Sequence, residues 1–171
     1  KLTLWKSIAN AKGRQVDSLL IRSLEEAGIT VAPHYVSWAV LNSLITYRKA
    51  ALFGLSWVAD IPDPDTFLRA LFYSTSSTNY FKYASPAVDS LLDVARGAED
   101  PTLRAQAYER AEAAILREAP FVPLSHPASF IGVRDYVVGL QMNPLGISTL
   151  AMEKLRFAEP GSHVERRNVG R

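Results

Sequence analysis

Three carboxylates lie close together near the middle of this 171-residue chain, at Asp60, Asp63 and Asp65. Grouped carboxylates can bind calcium, but these three lack the spacing and the glycine of a calcium-binding loop, so a metal site is not favoured. Pro64 instead fits the first turn of a helix, with Asp63 as its N-cap and Asp65 stabilised by the helix dipole. The spacing therefore predicts a helix start rather than a metal site.

Groups that would support catalysis are not arranged for it in this sequence. Cysteine is absent, no serine is bracketed by glycines, and no glycine-rich loop could hold a phosphate. The three histidines are too scattered to suggest a zinc site; they are His34, His126 and His163. We therefore expect a protein that is not an enzyme and that uses no metal or cofactor.

The residues before these carboxylates have the pattern of a strand. Phe53, Leu55 and Trp57 alternate with smaller residues, which predicts a strand with one buried face that ends before Pro62. A strand, a loop and a helix make half of a βα unit, and open α/β sheets bind ligands beyond the carboxyl ends of their strands. Trp57 and Asp60 are therefore candidates for contact with a ligand.

The first half of the chain repeats this strand-helix order. We predict a first strand at Leu2 and Leu4, a second strand at Ile29, Val31 and Tyr35 that is interrupted at Pro33, and a helix between them. The inward face of that helix is predicted from its apolar spacing, at Val16, Leu19, Leu20, Ser23, Leu24 and Ala27. A second helix is marked by Trp38, Leu41 and Ile45. This order predicts an α/β fold in which helices cover a mixed or parallel sheet.

The second half of the chain is predicted to be mainly helical. Residues 73–83 form a loop rich in Ser and Thr, and two helices follow, capped by Ser85 and Asp100. The inward face of the first of these helices is predicted at Val88, Leu91, Leu92 and Ala95. That of the second is predicted at Leu103, Ala107, Tyr108, Ala111, Ala114 and Ile115. Residues 121–124 and 130–133 have the pattern of short strands, and residues 158–171 have that of an extended or disordered tail.

Composition narrows the class of protein further. With 48% hydrophobic residues, the chain is long enough for one globular domain with a sizeable core. Lys and Arg number 19 against 17 Asp and Glu, which argues against a partner that is a nucleic acid. No apolar run is long enough to span a bilayer. The chain opens in a strand-like pattern without an initiator Met or a signal peptide, so we expect a piece of a larger protein.

Residues 56–68, which read SWVADIPDPDTFL, resemble the signature W-x-A-D-Y-P-D-P-x-x-F-L of the family 5 extracellular solute-binding proteins. These are the dipeptide, oligopeptide and nickel receptors of ABC importers. Residues 83–92, 104–112 and 119–124 are similar to three further motifs of the family, in the same order. The chain departs from the motifs at three positions, which are Ile61, Ser85 and Ala87.

The resemblance implies one lobe of a periplasmic-binding-protein type II clamshell. Residues 1–127 would be the C-terminal ligand-binding lobe, and residues 128–157 would return to an N-terminal lobe that this sequence lacks. Because residues 128–157 are rich in apolar side chains, we expect them to repack or to pair with a second copy in a homodimer.

The resemblance also implies roles at the site. In the oligopeptide receptors the Asp of W-x-A-D binds the α-ammonium of the peptide, and Asp60 is the matching position. Its alternative role is to cap the turn before Pro62. Trp57 would either floor the ligand pocket or serve as a core aromatic residue, and Ser56 and Val58 would flank the ligand.

The function that follows is capture of a peptide or similar small solute between two lobes, closed by a hinge and delivered to an inner-membrane permease of an ABC importer. The location implied is periplasmic or extracytoplasmic. The alternative is a ligand-sensing module of a regulatory or signalling protein, which a signal peptide on the full gene would distinguish from a receptor.

Overall fold

The computed structural model describes residues 1–7, 11–126, 130–141, 145 and 152–158. The elements of the first half are β1 (Leu2–Ser7), α1 (Ala11–Glu26), β2 (Val31–Val36), α2 (Trp38–Thr46) and β3 (Leu52–Gly54). Those of the second half are α3 (Asp65–Phe72), α4 (Pro86–Gly97), α5 (Pro101–Glu118), β4 (Val137–Val138), a 3-10 turn (Met152–Lys154) and β5 (Arg156–Phe157). Among the described residues, none of the helices combines the length and the apolar composition that crossing a bilayer requires.

The first three strands form a parallel sheet in the order β2-β1-β3, so the predicted alternation of strands and helices is confirmed. In its register, Trp5 lies beside His34 on one side and Phe53 on the other. This row faces α2, whose Leu41 and Ile45 are buried in the same apolar cluster as Trp5 and Phe53. Helix α2 therefore covers one face of the sheet.

Helix α1 covers the opposite face, but with a different side from the one predicted. Its fully buried residue is Asp17, and Val16 and Leu19 are exposed. The carboxylate of Asp17 is bonded to Lys6 and Tyr35 on the sheet, so a polar contact fixes the rotation of the helix. A pattern of apolar residues alone cannot show this.

Strand β2 continues through Pro33, where the sequence predicted an interruption. Because β2 lies at the edge of the sheet, only one of its sides has a hydrogen-bonding neighbour, and edge strands tolerate proline for this reason. Ile29, predicted to belong to this strand, lies before its first residue, Val31.

The helical half packs around a second apolar cluster to which α3, α4 and α5 all contribute. Its buried members are Leu71, Phe72, Tyr83, Val88, Leu92, Ala95, Ala107, Tyr108, Ala111 and Ile115. The predicted start of α5 is confirmed, since the carboxylate of Asp100 accepts from the N–H of Thr102. The predicted start of α4 is also confirmed, with Ser85 at the N-cap position and Pro86 as the first helical residue, although the Ser85 side chain makes no capping hydrogen bond. Leu103, predicted to face inward, is exposed, so that prediction is wrong.

A stack of aromatic rings joins the two clusters. The ring of Phe81 lies 5.7 Å from that of Phe53 in β3 and 5.4 Å from that of Phe72 in α3. Offset ring pairs at such distances add to the apolar burial, so the sheet and the helices share one continuous core.

Residues 121–124 and 130–133, predicted as short strands, have no strand structure. The strands that follow α5 are β4 and β5, which pair with each other in antiparallel fashion. The boundaries at residues 127 and 128 and nearly all of the predicted tail lie outside the described residues.

Candidate functional site

The segment that leads from β3 to α3 carries the predicted site residues. Strand β3 ends at Gly54, earlier than the alternation predicted, so Leu55 and Trp57 follow the strand rather than belonging to it. Leu55 packs against the cluster under α2, and Trp57 packs against the cluster of the helical half. The segment therefore spans from one half of the core to the other.

Contacts within the protein hold the side chain of Trp57 in place. Its indole N–H donates to the backbone carbonyl of Thr66 over 2.8 Å, and its ring meets that of Tyr80 edge-on at 6.5 Å. The side chain is half-buried against the core, and it also lines an open depression. Since the N–H already has a partner, the ring surface is the part of Trp57 that can meet a ligand.

Asp63, not Asp60, caps the turn. Helix α3 begins one residue later than predicted, so Pro64 rather than Asp63 is at its N-cap position. One carboxylate oxygen of Asp63 still accepts from the N–H of Asp65 over 2.8 Å, and both oxygens accept from Arg104 over 2.9 and 2.7 Å. Burial alone would raise the pKa of the Asp63 carboxyl, but these donors outweigh it and hold that pKa below its ordinary value. Asp63 is thus an ionised, fully engaged group.

Asp65 is also engaged by its neighbours. It accepts from the hydroxyl of Tyr108 over 3.1 Å, and an oxygen lies 3.7 Å from Nε of Arg69. Burial, followed by the hydrogen bond to Asp65, raises the pKa of Tyr108 to about 12. The guanidinium of Arg69 is further held by Asp93 and stacks 3.9 Å above the ring of Tyr73.

Asp60 contrasts with both of these carboxylates. Its side chain is exposed, and it makes no hydrogen bond or ion pair with any residue in the part of the chain that the structure describes. It lines the same depression as Trp57. Asp60 is therefore free to accept hydrogen bonds from a bound molecule.

The depression has a volume of about 540 Å³ and is open to solvent. It is lined by Trp57, Asp60, Asp65, Thr66, Arg69, Ala70, Tyr73, Thr75, Ser76, Ser77, Thr78 and Arg96. Ser56 and Val58, predicted to flank the ligand, are exposed and do not contribute to this lining. The structure thus brings two of the four predicted site residues together.

Residues 75–78, within the loop predicted from its Ser and Thr content, form a wall of the depression. The hydroxyls of Ser76 and Thr78 each donate to the carbonyl of Ala70 over 2.6 Å. The buried amide of Asn79 bonds to the backbone of Tyr83 in both directions, at 2.7 and 3.1 Å. The Ser and Thr run was the available signal, since these side chains bond readily to nearby backbone.

The depression offers an aromatic surface, one free carboxylate, further charges of both signs and several hydroxyls. Such a surface suits a small polar ligand that carries a positive charge. Within the described ranges, no three His, Cys, Asp or Glu side chains come together as a metal site.

Comparison with solved structures identifies the class of fold. The periplasmic binding protein DppA from Helicobacter pylori, solved with the peptide STSA, matches with a TM-score of 0.74 and 27% identity over 92% of this chain and 31% of that one. HbpA2 from Haemophilus parasuis matches with a TM-score of 0.80 at 22% identity, over 91% of this chain and 32% of that one, which shows the fold alone. The predicted fold, that of periplasmic binding proteins of type II, is confirmed.

Comparison with curated proteins identifies the family, although no protein-family model matches. Probable di/tripeptide-binding protein 5 of Pseudomonas aeruginosa is 30% identical over 153 residues, which are 85% of this chain and 29% of that protein. Heme-binding protein A of Haemophilus influenzae is 27% identical over 146 residues, 81% of this chain and 26% of that protein. These relatives are family 5 solute-binding proteins, so the predicted relationship is confirmed. The chain spans about three tenths of the length of the first of them.

Proposed function

We propose that this chain supplies one jaw of a periplasmic solute-binding protein that captures short peptides for an ABC importer. The observation that carries this proposal is the free carboxylate of Asp60, which lies beside Trp57 in the depression while Asp63 and Asp65 are held by protein groups. The ammonium group of a peptide has three donors and a positive charge, which complement a free carboxylate beside an aromatic ring.

The relatives support the same proposal. Their names include di/tripeptide-binding proteins of Pseudomonas aeruginosa, and one of the solved structures similar to this chain holds a peptide. The curated relatives are binding proteins, and one is a probable ABC transporter periplasmic-binding protein of Escherichia coli. For this chain we therefore propose a periplasmic location, delivery of the solute to an inner-membrane permease, and a role other than catalysis.

We further propose that residues 1–127 form the ligand-binding lobe and that residues 128–157 reach toward a second lobe. Two observations support this division. Strands β4 and β5 pair only with each other among the described strands, and Phe130 and Phe157 are 93% and 78% exposed. Exposed aromatic side chains in such a segment suit a surface that another lobe covers.

The test of peptide binding is an NMR titration of the ¹⁵N-labelled chain with a free-amino dipeptide and with its N-acetylated form. We expect the free-amino dipeptide to shift the indole N–H of Trp57 and the amides of residues 75–78. We expect the acetylated form, which has no ammonium, to shift them less at the same concentration.

Two substitutions make the test specific. Asp60→Asn should reduce the shifts at a given peptide concentration, because the amide keeps the size of the side chain but loses its charge. Glu112→Gln removes the same charge from an exposed position on α5 and should leave the shifts intact. The proposed role of Asp60 would be overturned if both peptides gave equal shifts. It would also be overturned if the free-amino dipeptide gave the same shifts in Asp60→Asn as in the original chain.

A further inference from the structure

A buried polar network lies under the sheet, away from the depression. The carboxylate of Asp17 is buried, and it accepts from the ammonium of Lys6 and, over 2.9 Å, from the hydroxyl of Tyr35. Removing a carboxylate from water is unfavourable unless it is paired and hydrogen-bonded, as it is here. Such a network fixes the positions of the groups that form it.

The network lies in register with the last residue of β3. Lys6 lies beside Tyr35 on one side and beside Gly54 on the other, so all three share one row and one face of the sheet. The stem of Lys6 crosses Gly54, where an added Cβ would lie 3.0 Å from Cε and 3.2 Å from Cδ and Cγ. Because Asp17 holds the ammonium, the stem cannot simply swing aside.

Both faces of the end of β3 are thus occupied. On the α2 face, Phe53 and Leu55 pack into the apolar cluster, whose neighbour Tyr80 meets the ring of Trp57. On the α1 face, the Lys6 stem lies against Gly54. The chain leaves this fixed point and reaches Trp57 three residues later.

We propose that Lys6, Asp17 and Gly54 act together as a positioning unit that sets the direction in which β3 delivers Trp57 and Asp60. The importance of this direction for peptide capture rests on the function proposed above. None of the three residues lines the depression, so they act through the backbone of β3.

The first test uses the indole N–H resonance of Trp57 in the ligand-free chain, assigned by Trp57→Phe. Gly54→Ala forces the added methyl against the Lys6 stem, and we expect it to move this resonance. Gly132→Ala is the matched control, since its Cβ would meet nothing within 4 Å. A Trp57 resonance that moves no more in Gly54→Ala than in Gly132→Ala would overturn the proposal.

The second test removes the anchor. Lys6→Met with Asp17→Leu replaces the ion pair by apolar groups of similar size, an exchange that proteins often tolerate without loss of stability. We expect the Trp57 resonance to move, and Gly54→Ala to shift it less in this background, because the freed stem can yield. Lys6→Arg, which keeps the pair, should leave the resonance near its original position.

An unmoved Trp57 resonance in the Lys6→Met and Asp17→Leu variant would assign the network to stability alone, and the proposal would be wrong. The melting temperature, measured in parallel, reports stability separately. Because neither resonance nor melting temperature requires a peptide, failure of this inference is distinct from failure of peptide binding.

Discussion

The carboxylate of Asp60 is exposed, and this limits what it can contribute alone. An ion pair in such a position contributes about 0–1 kcal/mol. A hydrogen-bonded charge pair that is buried in an interface changes affinity by about 2–5 kcal/mol when one partner is removed. The gain comes from excluding water, which a single open jaw does not do. The same residue would therefore act weakly in this chain and strongly in a closed receptor.

That difference predicts the behaviour of the isolated chain. We expect no measurable heat when it is titrated with dipeptides in a calorimeter, because one jaw cannot desolvate the ligand. The more sensitive NMR titration should still detect the contact at high peptide concentration. Tight binding by this chain alone would contradict the need for a second lobe.

Asp63 predicts how the protein responds to acid. Its pKa is lower in the folded chain than its ordinary value, so its ionised form stabilises the fold above that ordinary value, near pH 4. This stabilisation is lost as the pH falls through the lower, folded pKa. We expect Asp63→Asn to be less stable than the original chain at neutral pH and to lose less stability on acidification. Urea unfolding at several acidic pH values measures this.

Glu112→Gln is the control for that experiment, since it removes an exposed carboxylate on α5. It should leave the dependence of stability on pH below neutrality nearly as it was. If Asp63→Asn kept the full loss of stability in acid, the bond between Asp63 and Arg104 would not be its source.

Tyr108 makes the corresponding prediction in alkali. Its pKa is raised from 10.0 to about 12, so the fold favours the neutral phenol, and this stabilisation is lost as the pH rises between those values. We expect tyrosinate absorbance to show one group that ionises near pH 12 and is absent from Tyr108→Phe. That variant should also lose about 1 kcal/mol at neutral pH with the hydrogen bond to Asp65. Tyr47→Phe, at a position 71% exposed, is the control and should leave the group that ionises near pH 12 in place.

The sequence could place the candidate carboxylates in one segment but could not show which partners each of them has. The motif placed Trp57, Asp60 and Asp63 beside one another. Asp63 is paired because it bonds to Arg104, which lies 41 residues further along the chain. Local spacing carries no information on such a contact. It is made only because α5 packs against the segment between β3 and α3.

Helices were predicted best where apolar side chains alone decide their packing. Helix α4 lies where its pattern placed it, with Val88, Leu92 and Ala95 buried. Helix α1 was predicted as an element but with the wrong inward face, because its buried contact is the carboxylate of Asp17. The partners of this inward-facing charge lie on β1 and β2, and the apolar pattern of the helix gives no sign of them.

A pair of leucines tests the assignment of the helical core. Leu92 in α4 is fully buried, so Leu92→Ala should reduce the free energy of unfolding by about 2–5 kcal/mol through lost burial and a cavity. Leu103 in α5, predicted to face inward, is 48% exposed, and Leu103→Ala should cost about 1 kcal/mol at most. Chemical unfolding of both variants measures the difference. Equal losses would contradict the orientation of α5.

At the scale of the whole molecule, several large apolar side chains lie outside the two core clusters and are exposed to solvent. The exposed aromatic side chains after α5 are Phe130, Tyr136 and Phe157, and the last two lie 6.0 Å apart between ring centres. Large exposed apolar patches mark surfaces that another part of a protein covers. A chain that spans a third or less of its relatives would show such a surface where the remainder of a receptor packs.

This surface predicts self-association of the isolated chain. Without a second lobe, burial of Phe130 and Phe157 between two copies removes apolar area from water at about 25 cal/mol per Å², which favours a dimer. We expect sedimentation equilibrium to show a dimer that weakens in the variant with Phe130→Ser and Phe157→Ser. Tyr47→Ser changes a similarly exposed aromatic residue outside this segment and should leave the association constant unchanged. A chain that stays monomeric at all concentrations would show that residues 128–157 repack within one copy, and the proposed homodimer would then be wrong.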